Sequence, residues 1–311
     1  MYHYWAYGLI VDSEIEFPEL FPLVACTVPS VKLRYGKIPP LNVHPDGLYQ
    51  EKIAVTPTEY FLKVTGVAQY YVSGGKDIVV DPDEAGSIDL IRLYCLSNAF
   101  AAVLYQRKTI PLHCAAVLKE DKLVMIFGES GAGKSTTLAG LMKLGLPPFS
   151  DDVCVPSKTI DGKWTFCSSY PMMKFWKSTL EIESLDLLPN RKIREDMDKY
   201  GMYFHDSFSM EYKKPEAIFI LQKSLDVDQP QISRLSGFEL FMELDKNAYR
   251  RQYLGASALK MEHFIFFSEL ANQVPTFVLA RPNAINSHKT VAQIIFEELK
   301  KLQNAGVLLT K

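Results

Sequence analysis

The sequence has no excess of charge of either sign. Its 34 Lys and Arg stand against 36 Asp and Glu, which leaves a formal charge of −2. That balance excludes a general nucleic-acid binder, whose footprint is strongly basic. Cysteine is sparse: Cys26, Cys95, Cys114, Cys154 and Cys167 are the only five. An odd count without a CxxC pair or a Cys/His spacing supports neither a disulfide framework nor a zinc site. Read as small buried hydrophobes, these thiols fit a reduced compartment. The opening Met1-Tyr2-His3-Tyr4-Trp5 lacks the basic stretch and apolar core of a signal peptide. No membrane span is expected either. The most apolar long segment, Ile88 to Tyr105, carries Asp89 and Arg92 near its start, and a buried soluble helix explains it better than a span, which needs ~20 predominantly apolar residues. A cytoplasmic protein with no membrane partner is the expectation. Repeats and low-complexity tracts are absent, and 48% apolar with 23% charged residues excludes disorder and coiled coil.

The 311 residues suggest about two domains, with ample material for a core. Residues 1–86 read as a β-rich N-terminal domain. Val31 to Gly36 alternates, Tyr60 to Val64 and Ala68 to Ser73 are short β-type runs, and Pro39-Pro40, Gly74-Gly75 and Asp81-Pro82-Asp83 mark turns. A helix from Ser87 to Tyr105 leads into a second domain, 87–311. There Leu112 to Leu118 and Leu123 to Phe127 flank Lys119-Glu120-Asp121-Lys122, a hairpin signal with a four-residue loop. A helix closed by Gly145 follows. Then come a strand at Glu216 to Gln222, helices at Phe238 to Glu243 and Ala256 to Leu270, and a strand at Thr276 to Ala280. Ser287 caps a last amphipathic helix that Gly306 should stop.

Between hairpin and helix lies Gly128-Glu129-Ser130-Gly131-Ala132-Gly133-Lys134-Ser135, a full match to G-x-x-x-x-G-K-[ST]. Glycines let successive backbone N–H groups turn inward around phosphate oxygens. Lys134 can reach the β- and γ-phosphates, and the Ser135 hydroxyl can join a Mg²⁺ shell. The helix that starts there adds its positive dipole end. A strand before the motif and a helix after it supply the context that a chance Gly-rich turn lacks.

Asp151-Asp152 follows that helix and precedes the apolar run Val153-Cys154-Val155. An acidic pair beside prolines is commonly a solvated turn. Here, however, the strand after the helix should return to the sheet as a parallel neighbour, with its end near the phosphates. A phosphotransferase needs one carboxylate for Mg²⁺ and often another to take the proton of the attacking hydroxyl. Adjacent strand residues face opposite ways, so the two Asp should have different tasks. If Leu118 faces Leu123, counting back sets His113 opposite Gly128, the first residue of the loop. A slip of one residue would turn it to the other face, where it would be a hydrogen-bonded core histidine.

Leu112 to Val117, Gly128 to Thr136 and Ser150 to Val153 together resemble the core of the HPr kinase/phosphorylase-like kinases, whose fold is similar to that of phosphoenolpyruvate carboxykinase. Tyr7-Gly8-Leu9, Pro18-Glu19-Leu20, Pro171 to Trp176 and Ile232 to Leu244 resemble the kinases encoded with lasso peptides. The resemblance implies an α/β fold: a mixed-sheet P-loop kinase core with a smaller β-rich N-terminal domain. It implies Asp151 as catalytic base beside His113, Lys134 on the phosphates, and Ser135 with Asp152 at Mg²⁺. Lys174, Lys199 and Arg281 fall where related kinases carry basic residues, although solvated surface cations are the plainer reading of each. Thr136 stands where the bifunctional HPr kinases carry Glu, and their glycine-rich downstream segment is not found. HPr as substrate and the reverse reaction are therefore not expected.

The expectation is an ATP- and Mg²⁺-dependent kinase that phosphorylates a serine hydroxyl of a peptide, with the C-terminal serine of a lasso precursor as one candidate. Free serine or another small hydroxy compound is the alternative acceptor. A nucleotide-binding regulator is the non-enzymatic alternative, against which Asp151, Asp152 and His113 together argue. The oligomeric state stays open.

Overall fold

The computed structural model describes residues 1–24, 28–182, 191–256, 259–283 and 287–309. Among the described residues, the first 82 contribute nine strands: β1 (Tyr2–Ala6), β2 (Leu9–Ser13), β3 (Phe21–Pro22), β4 (Val31–Tyr35), β5 (Leu48–Gln50), β6 (Ile53–Val55), β7 (Glu59–Val64), β8 (Ala68–Ser73) and β9 (Asp77–Pro82). They form one sheet in the order β3-β1-β2-β4-β9-β8-β7-β6-β5. Alternation decides which face each strand buries. In β4, Val31 and Leu33 are buried while Lys32 and Arg34 are exposed.

A continuous helix follows as α1 (Ile88–Tyr94), a π turn (Cys95–Ala99) and α2 (Phe100–Gln106). By length and composition this helix could cross a membrane, but two thirds of it is buried inside the protein. Its π turn offers the Ser97 carbonyl to the Tyr249 hydroxyl and the Arg250 guanidinium.

The remaining strands are β10 (Leu112–His113), β11 (Ala115–Lys119), β12 (Lys122–Gly128), β13 (Pro148–Ser150), β14 (Val153–Lys158), β15 (Trp164–Ser168), β16 (Met172–Trp176), β17 (Arg191–Arg194), β18 (Met197–Tyr203), β19 (Lys214–Ser224), β20 (Gln231–Arg234) and β21 (Thr276–Pro282). The helices are α3 (Lys134–Lys143), α4 (Lys177–Ile182), α5 (Gly237–Asp245), α6 (Lys260–Gln273) and α7 (His288–Leu309). A mixed six-stranded sheet runs β13-β11-β12-β19-β21-β20, with β12, β19 and β21 parallel. Two three-stranded sheets, β10-β14-β15 and β16-β18-β17, flank it.

The central sheet separates two hydrophobic cores, which explains why β12 is an unbroken apolar run. Leu123, Met125 and Phe127 face the core shared with the N-terminal sheet and the 88–106 helix. Val124 and Ile126 face a second core formed with Leu138 and Leu141 of α3 and with Val291, Ile295 and Leu299 of α7. Cys95, Cys114, Cys154 and Cys167 are free and buried. Cys26 lies outside the described residues.

Four local expectations are corrected. The hairpin loop has two residues, because Lys119 pairs with Lys122 and Glu120 adopts φ 56°. The strand after α3 is an antiparallel edge beside β11, since β12 already has β11 on one side and β19 on the other. A 3₁₀ turn (Arg251–Ala256) precedes α6, which starts only at Lys260. Finally, α7 runs past Gly306 to Leu309. A glycine costs only about 1 kcal/mol in a helix, so it need not end one.

Candidate functional site

The phosphate motif begins where β12 must turn away from β19. Gly128 adopts φ 138°, and a Cβ there would lie 2.7 Å from the Leu221 carbonyl oxygen, so no other residue fits. Gly133, at φ 104°, is the cap from which α3 starts. Lys134 folds back over the loop and donates from Nζ to the Gly128 carbonyl at 2.7 Å and the Glu129 carbonyl at 3.3 Å. Burial lowers its pKa, against the pull of Asp152 and Asp151. Arg281, at the end of β21, donates from Nε and Nη2 to the Ala132 carbonyl at 3.0 and 2.7 Å, so it clasps the loop from outside. Thr136 exchanges a hydroxyl hydrogen bond with Thr179 at 3.0 Å.

Asp151 and Asp152 occupy the turn between β13 and β14, two strands of different sheets. Strand alternation would turn them to opposite faces, but both line one cleft, and their partners are exchanged relative to the expectation. The Ser135 hydroxyl donates to Asp151 Oδ1 at 3.3 Å, and the Lys174 backbone N–H donates to Asp151 Oδ2 at 2.7 Å. Asp152, turned by φ 82°, meets Lys174 Nζ at 3.0 Å through Oδ2 and His113 Nδ1 at 3.2 Å through Oδ1. The expected groups were Ser135 with Asp152 and His113 with Asp151. The left-handed backbone at Asp152, which strand alternation does not foresee, swings that carboxylate to the histidine side.

The electrostatics follow the partners. Burial raises the Asp151 pKa, and the Asp152 charge raises it further. Burial also opposes charge on Asp152, but Lys174 and His113 prevail and hold its carboxyl well below the usual range. Lys174 is likewise held well above its ordinary value, because Asp152 outweighs the burial of the ammonium. Lys174 is therefore a buried member of the site, only 7% exposed, and not the surface cation of the plainer reading.

His113 does not face Gly128. Leu118 pairs with Leu123 as expected, but β11 ends at Ala115, and His113 leaves the sheet to pair with Val153 of β14. Its Nδ1 contacts the Asp152 carbonyl at 3.0 Å as well as the carboxylate. With Nδ1–H as the donor to these oxygens, Nε2 is an acceptor.

One cleft of about 510 Å³ gathers His113, Ser130, Gly131, Gly133, Lys134, Ser135, Thr136, Asp151, Asp152, Lys199 and Arg281. Trp176 rims it, 45% exposed, with Lys199 Nζ 5.7 Å from its ring centroid. Lys174 and Arg281 thus support the carboxylate and the loop, while Lys199 stands on the cleft wall. A second cavity of about 620 Å³ adjoins the first at His113, Ser130 and Lys223, and is walled by Gly128, Gln222, Glu243, Lys246 and Asn247. The chemistry on show is an anion cradle, a Ser/Asp oxygen pair and a histidine braced by a carboxylate. Oxygen donors suit a hard cation, and Mg²⁺ commonly takes one or two carboxylates with phosphate oxygens completing its shell. Among the described residues no group of three or more His, Cys, Asp or Glu could hold a metal. Asn247 and Thr179 belong to no motif and are not marked by the sequence, and Trp176 is marked only as the end of the Pro171 to Trp176 segment of the resemblance.

No family model matches the chain, and no curated protein matches it. Among solved structures, the chain is similar to the Hpr(Ser) kinase/phosphatase from Coxiella burnetii. That similarity has 13% sequence identity and a TM-score of 0.36, over 64% of this chain and 96% of that one. A score of that size does not assign a fold or an activity.

Proposed function

We propose that the protein is an ATP- and Mg²⁺-dependent kinase that transfers the γ-phosphoryl group to a serine hydroxyl. The observation that carries this reading is the convergence on one cleft of the glycine cradle, the Ser135–Asp151 oxygen pair and the Asp152–His113 pair. Ser135 and Asp151 would hold Mg²⁺, which when bound neutralises charge on the phosphate oxygens. Lys134 and the N–H groups at the start of α3 bind the phosphates. Asp152, kept anionic by Lys174, orients His113. His113 Nε2 takes the proton of the attacking hydroxyl as its oxygen bonds to phosphorus. The bond from phosphorus to the bridging oxygen breaks, ADP leaves, and the histidine returns its proton to solvent.

A peptide serine is the proposed acceptor, with the C-terminal serine of a lasso precursor as the specific candidate from the resemblance. The cavity beyond His113 gives room for such a residue and equally for free serine, so both belong in the assay. Purified protein with Mg²⁺ and γ-labelled ATP should label serine-bearing peptides from its genomic neighbourhood or free serine. Asp152→Asn should abolish labelling with little change in ATP affinity, whereas Asp151→Asn should raise the Mg²⁺ requirement. No labelled product from any acceptor, with ATP bound, would overturn the reading in favour of a nucleotide-binding regulator.

A further inference from the structure

The hydrogen-bond path between the histidine and the phosphate loop runs through a residue far away in sequence. Because β11 ends at Ala115, opposite Ile126, the last residues of β12 have no ladder partner on that side. Asn247, just after α5, fills the gap. Its main-chain carbonyl accepts the His113 N–H at 2.7 Å. Its Oδ1 accepts the Gly128 N–H at 3.0 Å, and its Nδ2 donates to the Glu243 carbonyl at 2.8 Å. It is 5% exposed and lines the cavity next to His113.

Resting on the function proposed above, we infer that Asn247 is a positioning residue that fixes His113 against the first residue of the phosphate loop. Both N–H groups end on one rigid residue, so the proton acceptor and the bound phosphoryl group share a frame although their strands belong to different sheets. A primary amide suits the place because it accepts and donates from one plane. An aliphatic side chain of similar size would leave the buried Gly128 N–H without a partner.

The test compares Asn247→Ala and Asn247→Asp with the wild type, using γ-phosphate release from Mg²⁺-ATP with water as acceptor. For Asn247→Ala, kcat should fall about 10- to 100-fold, the scale of a small misplacement of reacting groups, with KM for Mg²⁺-ATP changed less than about 3-fold. Amide exchange should quicken at Gly128 but not at His113, which the main-chain carbonyl still holds. A protonated carboxyl has the donor and acceptor pattern of the amide. The Asn247→Asp rate relative to wild type should therefore climb as pH falls, which a general loss of folding would not produce. The inference is overturned if Asn247→Ala leaves kcat within about 2-fold and Gly128 exchange unchanged. It is also overturned if kcat falls only in step with the folded fraction. A wild type that neither binds nor turns over Mg²⁺-ATP would instead overturn the proposed function, and Gly128 exchange would still decide whether Asn247 holds the loop.

Discussion

Lys174→Met keeps most of the side-chain bulk and removes the ammonium that meets Asp152 at 3.0 Å. Removing one partner of a buried ion pair costs about 3–5 kcal/mol, because the remaining charge loses its compensation. Here His113 still faces the other carboxylate oxygen and the Asp152 side chain is 24% exposed, so a loss of about 2–3 kcal/mol is expected. In a chain of this size that corresponds to a fall of roughly 3–5 °C in Tm. The Asp152 pKa is depressed on folding, so its contribution is complete above the ordinary carboxylate pKa of about 4 and is lost as pH falls through the depressed value. Lys174 has the opposite sign: its contribution is complete below its ordinary pKa of about 10.4 and is lost as pH rises through the raised one. The wild-type advantage should therefore be flat across neutral pH. Urea unfolding of Lys174→Met, Asp152→Asn and the double variant should return a coupling of at least about 1 kcal/mol. Additivity within about 0.5 kcal/mol, or an advantage that changes across neutral pH, would refute the pairing as the source of stability.

Two further outcomes follow from the same geometry. Burial and the neighbouring carboxylate raise the Asp151 pKa, so acid should weaken Mg²⁺ binding sooner than an exposed carboxylate would. A Mg²⁺ titration of ATP binding should weaken on acidification at a higher pH than an exposed carboxylate would give, and Asp151→Asn should flatten that dependence. Gly133→Ala places a Cβ 3.2 Å from Arg281 at φ 104°, which costs about 1–2 kcal/mol of backbone strain. Calorimetry should find Mg²⁺-ADP binding weakened by about 10-fold or more, with the fold retained; unchanged affinity would count against the cradle.

What was legible in the sequence was local. The phosphate loop announces itself because one short segment supplies every backbone donor, and the pairing of Leu118 with Leu123 follows from two apolar runs around a polar turn. The limits of the strand at 214–224 and the helix at 88–106 were nearly visible for the same reason. Three features were not. The departure of His113 from the hairpin depends on β14 being available as a partner, which no local pattern reveals. The exchange of partners between Asp151 and Asp152 turns on one backbone angle. Asn247 bonds to a glycine 119 positions away, and nothing around it distinguishes it from any other polar residue at a helix end. Lys174 was visible only as a basic residue, since burial is decided by what the fold lays over it.

The φ of 82° at Asp152 also limits how this site can change. Asparagine and aspartate tolerate that region of backbone space, glycine adopts it freely, and longer acids resist it. Glutamate would keep the charge but strain the chain, while asparagine would keep the chain and discard the charge. Every substitution that the backbone accepts easily thus silences the carboxylate, so descendants of this protein have no gentle route away from aspartate while the function is under selection.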